Sequence, residues 1–382
     1  MRFLTCVGDA TSIATHGGLP YHLLHAGLQA GFLDGGWLLQ PQKLRARRIL
    51  WNAGRLLTCG EYGGYQYASS FLRALIRQEP RASSIHDEVI SIFPLLPPDC
   101  PRRAGVSFYI DATLQQNFED YGITRSVGRT MITEALARER QAYRDATRIL
   151  CRSRAAARSV VGAYGIEPNK VHVVPGGANI IGDPGPSRYG PDNLPLAPVR
   201  LGFVGKDWRR KNLPFVLKIA DVLNARGIAV EVIAAGFSVE HGPRHPLLRS
   251  IGFIDKRHAL NAFVDLLRSC HFTCLFSFAE AFGLSNRESL RLGVPVLASN
   301  VGGIPDTVPA GCGHLFSPDV DAADVADIVE GYARDAGRYW QLRDAVGRRA
   351  GEFTWAATVE RMQHIWAGST AYRFRDEAVI NA

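Results

Sequence analysis

Short apolar runs typical of β-strands alternate with longer helical patterns along the chain, and this alternation predicts a parallel α/β architecture. The strand-like runs are 2–7, 89–93, 106–110, 148–151, 171–174, 200–204, 229–234, 249–253 and 272–278. The helical patterns are 19–31, 130–147, 153–164, 213–226, 258–269, 322–334 and 355–366. A chain of 382 residues is long enough for two such domains.

A stretch rich in proline and glycine interrupts the alternation between Gly182 and Pro198. This composition is typical of an exposed linker, so we expect the domain boundary here. The predicted division assigns 1–190 to an N-terminal domain, 191–354 to a C-terminal domain and 355–382 to a final helix and tail.

The composition indicates a globular chain of the cytoplasm. No apolar run reaches the roughly 18–20 residues of a membrane helix, and the first seven residues are too short an apolar run for a signal peptide. Seven scattered cysteines agree with a reducing compartment. We therefore expect a cytoplasmic protein, or one held peripherally at the inner face of a membrane.

The excess of positive charge lies mainly in the first half of the chain. The formal net charge is +8, and residues 1–197 carry 22 Lys and Arg against 16 Asp and Glu. An anionic partner is therefore expected there: a lipid head group, a membrane surface or an acidic glycan. Nucleic acid is not expected, because basic and aromatic residues do not interleave as they do in RNA-binding segments.

One segment, 43–57, stands apart because it holds five basic residues and no acidic one. Its apolar residues recur at helical spacing and share one face; they are Ile49, Leu50, Ala53, Leu56 and Leu57. Such a helix could lie on a membrane surface of anionic lipid. It could equally pack its apolar face on the domain.

The stretch from Glu280 to Glu288 holds two carboxylates eight positions apart, with Gly283 between them. Glu280 is expected at the carboxyl end of strand 272–278, where open α/β sheets bind ligands. A helix that begins near Gly283 offers free N–H groups and its positive dipole end to a phosphate. The two carboxylates could accept hydrogen bonds from sugar hydroxyls, or they could be solvated surface charges.

A second cluster follows strand 200–204, where Gly205 precedes four cations. They are Lys206, Arg209, Arg210 and Lys211. At the carboxyl end of a strand these cations could clamp a diphosphate; a solvated basic loop is the alternative. Because both clusters fall at strand ends in the same half of the chain, we favour a nucleotide site.

Together these motifs resemble the retaining glycosyltransferases of family 4, which have the GT-B fold. The resemblance rests on Gly205-Lys206 with Lys211, on Glu280 and Glu288 around Phe282-Gly283, and on the stretches 293–296 and 301–306. Gly17-Gly18 and the segment 170–179 extend it over nearly the whole chain. It implies two Rossmann-like, doubly wound α/β domains facing a central cleft, with the C-terminal helix crossing back to the N-terminal domain.

The resemblance also implies roles for individual residues. Glu288 would bind the donor ribose, and Glu280 would contact the transferred sugar. Lys206 and Lys211 would neutralise the diphosphate and stabilise the leaving group. The remaining donor contacts would come from Gly18, Ile254, Lys256, Phe282, Gly283 and Leu284, with the loop 254–256 cradling the base.

Two residues are candidates for the acceptor side. Asp111 stands where many family members carry a histidine, and it could hydrogen-bond or deprotonate an acceptor hydroxyl. It could also cap the following helix. His16, beside Gly17-Gly18, is the second candidate.

The activity implied is transfer of a hexose from a UDP- or GDP-linked sugar to a glycan or a lipid-linked acceptor, as in bacterial surface polysaccharide or glycolipid assembly. Retention by same-face attack is expected, with no metal and no other cofactor. Asp319-Val320-Asp321 matches the Asp-x-Asp of metal-dependent transferases, but its place before helix 322–334 favours helix capping. The alternatives are a non-catalytic nucleotide-sugar-binding protein and a GT-B-fold sugar-nucleotide epimerase. A dinucleotide-dependent oxidoreductase is not expected, because the first strand is not followed by Gly-x-Gly-x-x-Gly.

Overall fold

The computed structural model describes residues 1–79, 87–98, 105–182, 184–186 and 194–375. Contacts divide the chain into two units. Unit 1 is Met1–Pro175 with Val359–Ala382, and unit 2 is Gly176–Thr358. Among the helices described, none combines the length and the apolar composition needed to cross a membrane.

Unit 1 is built on a six-stranded sheet in which every neighbouring pair is parallel. Its strands are β1 (Arg2–Thr5), β2 (Gly35–Gly36), β3 (Glu88–Ser91), β4 (Gly105–Ile110), β5 (Arg148–Cys151) and β6 (Val171–Val173). Its first six helices are α1 (Leu19–Gln29), α2 (Arg45–Cys59), α3 (Ser69–Ile76), α4 (Leu114–Asp120), α5 (Arg129–Asp145) and α6 (Arg154–Gly162). The strand order is β2-β1-β3-β4-β5-β6.

The interior of this sheet is mainly apolar, as expected for a parallel sheet covered on both faces, with Thr5, Ser91 and Ser107 buried among the apolar residues. All six residues of β4 are buried. Phe108 and Ile110 of that strand pack in one core with Ile149 of β5 and Val160 of α6.

Unit 2 has a second six-stranded parallel sheet. Its strands are β7 (Val199–Val204), β8 (Val230–Ala235), β9 (Leu248–Gly252), β10 (Phe272–Leu275), β11 (Val296–Ser299) and β12 (Gly313–Phe316). The helices that follow are α7 (Leu213–Ala225), α8 (Leu260–Ser269), α9 (Leu284–Arg291), α10 (Ala322–Arg334), α11 (Ala336–Arg349) and α12 (Trp355–Trp366). The strand order is β12-β11-β10-β7-β8-β9.

The last helix returns the chain to unit 1, as the resemblance implies. Residues from Val359 onward, within α12, count with unit 1 by their contacts. Trp366, at the end of α12, donates its indole N–H to both carboxylate oxygens of Glu88 at 2.8 and 2.9 Å. The guanidinium groups of Arg2 and Arg148 lie 5.0 and 4.5 Å from the centroid of its ring. Cation–π contacts and the hydrogen bonds therefore hold the helix end at β1, β3 and β5.

The contact-based units differ from the predicted division at 190/191 and 354/355. The first predicted limit falls outside the described residues. Residues from Gly176 already count with unit 2, because the N–H of Ala178 donates to the carbonyl of Phe353 at 2.8 Å and Ile180 packs in a unit 2 core with Ile233.

Unit 1 contains a fully buried carboxyl group that no sequence pattern indicates. Glu139 of α5 accepts hydrogen bonds from the N–H of Leu114, at the start of α4, and from the hydroxyls of Tyr143 and Tyr164. Burial raises the pKa of Glu139 to about 7, although these hydrogen bonds oppose the shift. The Glu139 carboxyl group therefore accepts from a backbone N–H at the start of α4 that has no partner within the helix. Its buried surroundings favour the neutral, protonated form of the group.

The raised pKa makes a prediction about stability and pH. Because the folded-state pKa lies above the unfolded value of about 4.5, the contribution of Glu139 to stability is fully present below about pH 4.5. It is lost as the pH rises through about 7. Glu139→Gln cannot ionise, so its stability should not show this fall with pH. In the wild type the fall should amount to at most about 3 kcal/mol of unfolding free energy.

Denaturant unfolding of both proteins from pH 4.5 to 8 measures the difference. The wild-type stability should fall relative to that of the variant over this interval. Two profiles that run parallel would show that Glu139 does not titrate there.

Candidate functional site

The topology of unit 2 marks one point of its sheet as the place for a ligand. The chain runs outward from β7 through β8 to β9, then returns to form β10 on the other side of β7. The connections that follow β7 and β10 therefore run in opposite directions along the sheet. This leaves a crevice between the carboxyl ends of the two strands, and open α/β sheets bind ligands in such a crevice. Gly205 directly follows β7, and Glu280 lies in the segment that follows β10. The fold thus brings the two predicted clusters together.

Glu280 is held by two cations at this point. Its Oε2 atom lies 3.1 Å from Nζ of Lys211 and 3.4 Å from Nη1 of Arg210, and the hydroxyl of Ser277 donates to the same oxygen at 3.4 Å. The Glu280 side chain is only 13% exposed. Burial alone raises the pKa of Glu280, but the charges of Lys211 and then Arg210 outweigh burial, and the net pKa is lowered. The residue is therefore an ionised carboxylate fixed between cations.

Glycines make this arrangement possible. A Cβ atom on Gly205 would lie 2.2 Å from Cδ of Lys211, so a larger residue there would displace the Lys211 side chain from this position. A Cβ atom on Gly302 would lie 2.1 Å from the carbonyl oxygen of Glu280, and one on Gly303 would lie 2.0 Å from that of Ala281. The N–H of Gly303 also donates to the carbonyl of Glu280 at 2.9 Å. The Gly302-Gly303 pair therefore sets the position of the Glu280 backbone.

The strand that leads to Glu280 is shorter than predicted. It was expected over 272–278, but β10 ends at Leu275. The N–H of Phe278 donates to the carbonyl of Arg210 at 3.0 Å instead of to a neighbouring strand, and the Phe278 side chain is 70% exposed. Arg210 in turn donates to the carbonyl of Ala279. These bonds join the two segments and place Arg210, one of the four cations of the predicted cluster, beside Glu280 as its direct partner.

Glu288 lies inside α9 and is nearly covered. The helix begins after Gly283, whose φ of +88° is in the region that favours glycine. The Glu288 side chain is 4% exposed, and its Oε1 atom lies 2.5 Å from Nζ of Lys256. Lys256 also donates to the carbonyl of Asn179 at 3.3 Å. Two residues that the resemblance assigns to different parts of a donor, Glu288 to ribose and Lys256 to the base loop, are therefore an ion pair with each other.

Unit 2 also contains the other residues that are predicted to bind the sugar donor. Lys206 is exposed, and its Nζ lies 5.4 Å from the centroid of the Phe253 ring, which follows β9. Ile254 lines, with Phe253, a groove of about 410 Å³ between β9 and α8. Phe282 is buried at 3% exposure, so its side chain packs inside the unit. The N–H of Leu284 belongs to the first turn of α9, where backbone donors have no partner within the helix.

In unit 1, the acceptor-side candidates lie in segments that follow strands. Asp111 directly follows β4, is 51% exposed and has one oxygen 3.8 Å from Nη1 of Arg152. The capping alternative for Asp111 is wrong, because Thr113 caps α4 in a reciprocal pair with Gln116. His16 has a left-handed backbone with a φ of +46°.

The glycine loop of unit 1 is strongly bent. Nε2 of His16 lies 3.1 Å from the carbonyl oxygen of Val7. Gly17 and Gly18 follow with φ values of +65° and +88°, and Gly18 precedes the first turn of α1. The approach of Gly18 to a phosphate stays a prediction.

The Asp-x-Asp sequence lies at the start of α10. Asp321 is the N-cap residue, with an extended backbone, but its side chain makes no capping hydrogen bond. Asp319 instead accepts a hydrogen bond from the hydroxyl of Ser317 at 2.9 Å. The predicted position before the helix is confirmed, while the predicted capping bond by a side chain is absent.

Residues 193–352, most of unit 2, match the family model described as glycosyl transferases group 1. Among curated proteins the chain is similar to D-inositol 3-phosphate glycosyltransferase of Nocardia farcinica, with 28% identity over 58% of this chain and 52% of the relative. The chain spans about half the length of the curated relatives it matches.

Two solved structures resemble nearly the whole chain. Sucrose-phosphate synthase of Thermosynechococcus elongatus matches with a TM-score of 0.67 and 16% identity, over 96% of this chain and 99% of that one. HepE of Anabaena, in complex with UDP and glucose, matches with a TM-score of 0.63 and 15% identity, over 97% and 100%. At such identities the likeness concerns the fold, and it confirms the expected GT-B fold with two Rossmann-like domains.

The tight contact at Gly303 gives a test of the local structure. Gly303→Ala should lower the melting temperature, because a methyl group 2.0 Å from the Ala281 carbonyl oxygen forces the backbone at 280–283 to move. A loss of about 1–3 kcal/mol is expected from such overpacking. Gly351→Ala is the matched control, since a Cβ atom there meets nothing within 4 Å. Equal melting temperatures for the two variants would contradict the packing described.

Proposed function

We propose that the chain is a retaining, metal-independent glycosyltransferase of family 4, and the match of residues 193–352 to the glycosyl transferases group 1 model supports this. It would transfer a hexose from a UDP- or GDP-linked sugar to a glycan or a lipid-linked acceptor, in the assembly of bacterial surface polysaccharide or glycolipid. The protein would work in the cytoplasm, where nucleotide sugars are made.

The cluster of Glu280, Lys211 and Arg210 at the switch point of the unit 2 sheet is the observation that carries this proposal. The segment 206–211 and Glu280 together hold four cations and two carboxylates, which leaves a net charge of +2. The diphosphate of a nucleotide sugar carries about two negative charges, so the cluster has the charge to balance it. The ionised Glu280 remains as an acceptor for sugar hydroxyls.

The proposed mechanism uses this charge in the transition state. When the bond between the anomeric carbon and the diphosphate oxygen breaks, negative charge grows on that oxygen. Lys211 and Arg210 would stabilise this charge more strongly than they stabilise the bound donor, which lowers the barrier. The acceptor oxygen would bond to the anomeric carbon on the same face, and its proton would pass to the departing phosphate.

The neighbouring groups would orient the donor. The free N–H groups at Gly283 and Leu284 would bind a phosphate oxygen. Glu288 would accept hydrogen bonds from the ribose hydroxyls, with Lys256 holding the carboxylate in place through their 2.5 Å contact. Lys206 is exposed and would approach the diphosphate from the side of Phe253.

The similar proteins suggest which substrates to test first. HepE binds UDP and glucose, which supports UDP-glucose as the first donor. The curated relatives are named for D-inositol 3-phosphate, which supports a phosphorylated acceptor beside glycan and lipid-linked ones. Asp111 and His16 are the residues of unit 1 that we propose for the acceptor side.

The test is turnover by the purified chain with a panel of UDP- and GDP-linked hexoses, followed as donor hydrolysis and as transfer. One donor should turn over, and EDTA should not change the rate. Lys211→Ala should lower kcat/KM about 10- to 150-fold, since a hydrogen bond to a charged group is worth about 1.5–3 kcal/mol. Glu280→Ala should lower it too, because the sugar loses its anchor.

Matched controls separate this effect from a general change of charge. Lys218 of α7 and Glu240 are exposed residues of unit 2 outside the cluster. Lys218→Ala and Glu240→Ala should keep wild-type turnover. Full activity in both Lys211→Ala and Glu280→Ala would refute the proposed site, and tight donor binding without turnover of any donor would identify a non-catalytic nucleotide-sugar-binding protein.

A further inference from the structure

The helix α2 places its apolar side chains in solvent. The sequence left open whether this face packs on the domain, and the structure rejects that alternative, because no residue of α2 is buried. Its aliphatic residues are among the most exposed large apolar side chains described: Ile49 is 61% exposed, Leu50 73%, Leu56 56% and Leu57 88%. A contiguous exposed apolar patch of this kind marks an interaction site.

The side of α2 that contacts the rest of unit 1 is the opposite one. The ring of Trp51 lies 5.4 Å from that of Tyr65. Asn52 accepts a hydrogen bond from the N–H of Gly63 at 3.0 Å, and Arg55 pairs with Glu61 at 2.7 Å.

Successive residues of a helix are turned by about 100° around its axis. On this scale the mean direction of Trp51, Asn52 and Arg55 lies about 150° from the centre of the apolar stripe. The helix is therefore held on its domain by its polar side and Trp51. Its apolar stripe points away from unit 1.

The charges around this stripe identify the partner. The segment 43–57 holds five basic residues and no acidic one, and Lys43, Arg45, Arg47 and Arg48 are exposed. On the helix, Arg45 and Arg47 border the apolar stripe on its two sides. Long basic side chains at the border of an apolar stripe are suited to reach lipid phosphates while the aliphatic groups enter the acyl region.

We propose that α2 is a membrane-docking helix that binds a surface of anionic lipid. A second copy of the chain is a poorer occupant, because pairing of two such faces would bring the arginines of both copies together without a carboxylate between them. This inference rests on α2 alone and goes beyond the proposed transfer activity.

The location of α2 suits an acceptor carried by lipid. The segment that leads to α2 leaves the sheet at the carboxyl end of β2, and Asp111 follows the carboxyl end of β4 in the same parallel sheet. Carboxyl ends of parallel strands share one edge. Docking through α2 would therefore place the membrane on the side of unit 1 from which the acceptor-side candidates project.

The test measures partition of the purified 382-residue chain onto vesicles by flotation, without any nucleotide sugar. Phosphatidylcholine vesicles are compared with vesicles of equal parts phosphatidylcholine and phosphatidylglycerol. The wild-type chain should bind the anionic vesicles and lose most of this binding in high salt. Each basic residue near an anionic surface is worth about fivefold in partition, so Arg45→Gln with Arg47→Gln, the two arginines that border the stripe, should weaken binding about 25-fold.

A second variant removes the apolar contribution alone. Leu50→Gln with Leu57→Gln keeps every charge and should also lower partition. The matched control is Arg144→Gln with Arg348→Gln, which makes the same charge change at exposed positions elsewhere and should keep binding near wild type. Unchanged melting temperatures are expected for all three, because every substituted side chain is exposed.

Three results would overturn the proposal. The wild-type chain could fail to bind anionic vesicles, the α2 variants could bind as well as the wild type, or sedimentation could show a dimer that the leucine variant alone disrupts. The last would identify a second copy as the occupant. The flotation test contains no nucleotide sugar, so its result is independent of the donor-turnover test. A chain that fails to bind vesicles could still turn over a donor, and a chain without turnover could still bind vesicles.

Discussion

The contact of Glu280 with Lys211 and Arg210 is the interaction on which the site depends. It forms only because β7 and β10 are neighbours although they are far apart in sequence, so their following segments meet. Glycines stand at its close contacts: Gly302 and Gly303 leave room for the backbone of 280–281, and Gly205 leaves room for the Lys211 side chain. A buried carboxylate without these cations would cost several kcal/mol. The motifs of three separate segments are thus one physical unit.

Much of the fold follows from the sequence because its local patterns agree with its final structure. Strand β5 and the helices α10 and α12 have their predicted ends, since apolar periodicity and flanking residues point to the same limits. The end of β10 could not be predicted in this way. The run at 276–278 continues the apolar pattern of the strand, but the N–H of Phe278 donates to the carbonyl of Arg210, in a distant segment of the sequence.

The sequence indicated the residue types of the candidate site but not how they pair. Their spacing along the sequence and the neighbouring glycines indicated Lys211, Glu280 and Glu288. Sequence spacing does not give the distances in space between residues of different segments. The pairing of Glu288 with Lys256 joins α9 to the loop after β9, and nothing near either residue in the sequence indicates it. The same holds for α2, whose apolar pattern fits both burial and exposure; the polar anchors Asn52 and Arg55 decide which face turns outward.

The central claim is that the cations hold the diphosphate and Glu280 holds the sugar. Equilibrium binding of UDP and of the accepted nucleotide sugar (UDP-glucose first) to the wild type, to Lys211→Met and to Glu280→Gln tests it most directly. Lys211→Met should weaken both ligands by a similar factor, because both carry the diphosphate. Glu280→Gln should weaken the nucleotide sugar more than UDP. Wild-type affinity of both variants for both ligands would contradict the account.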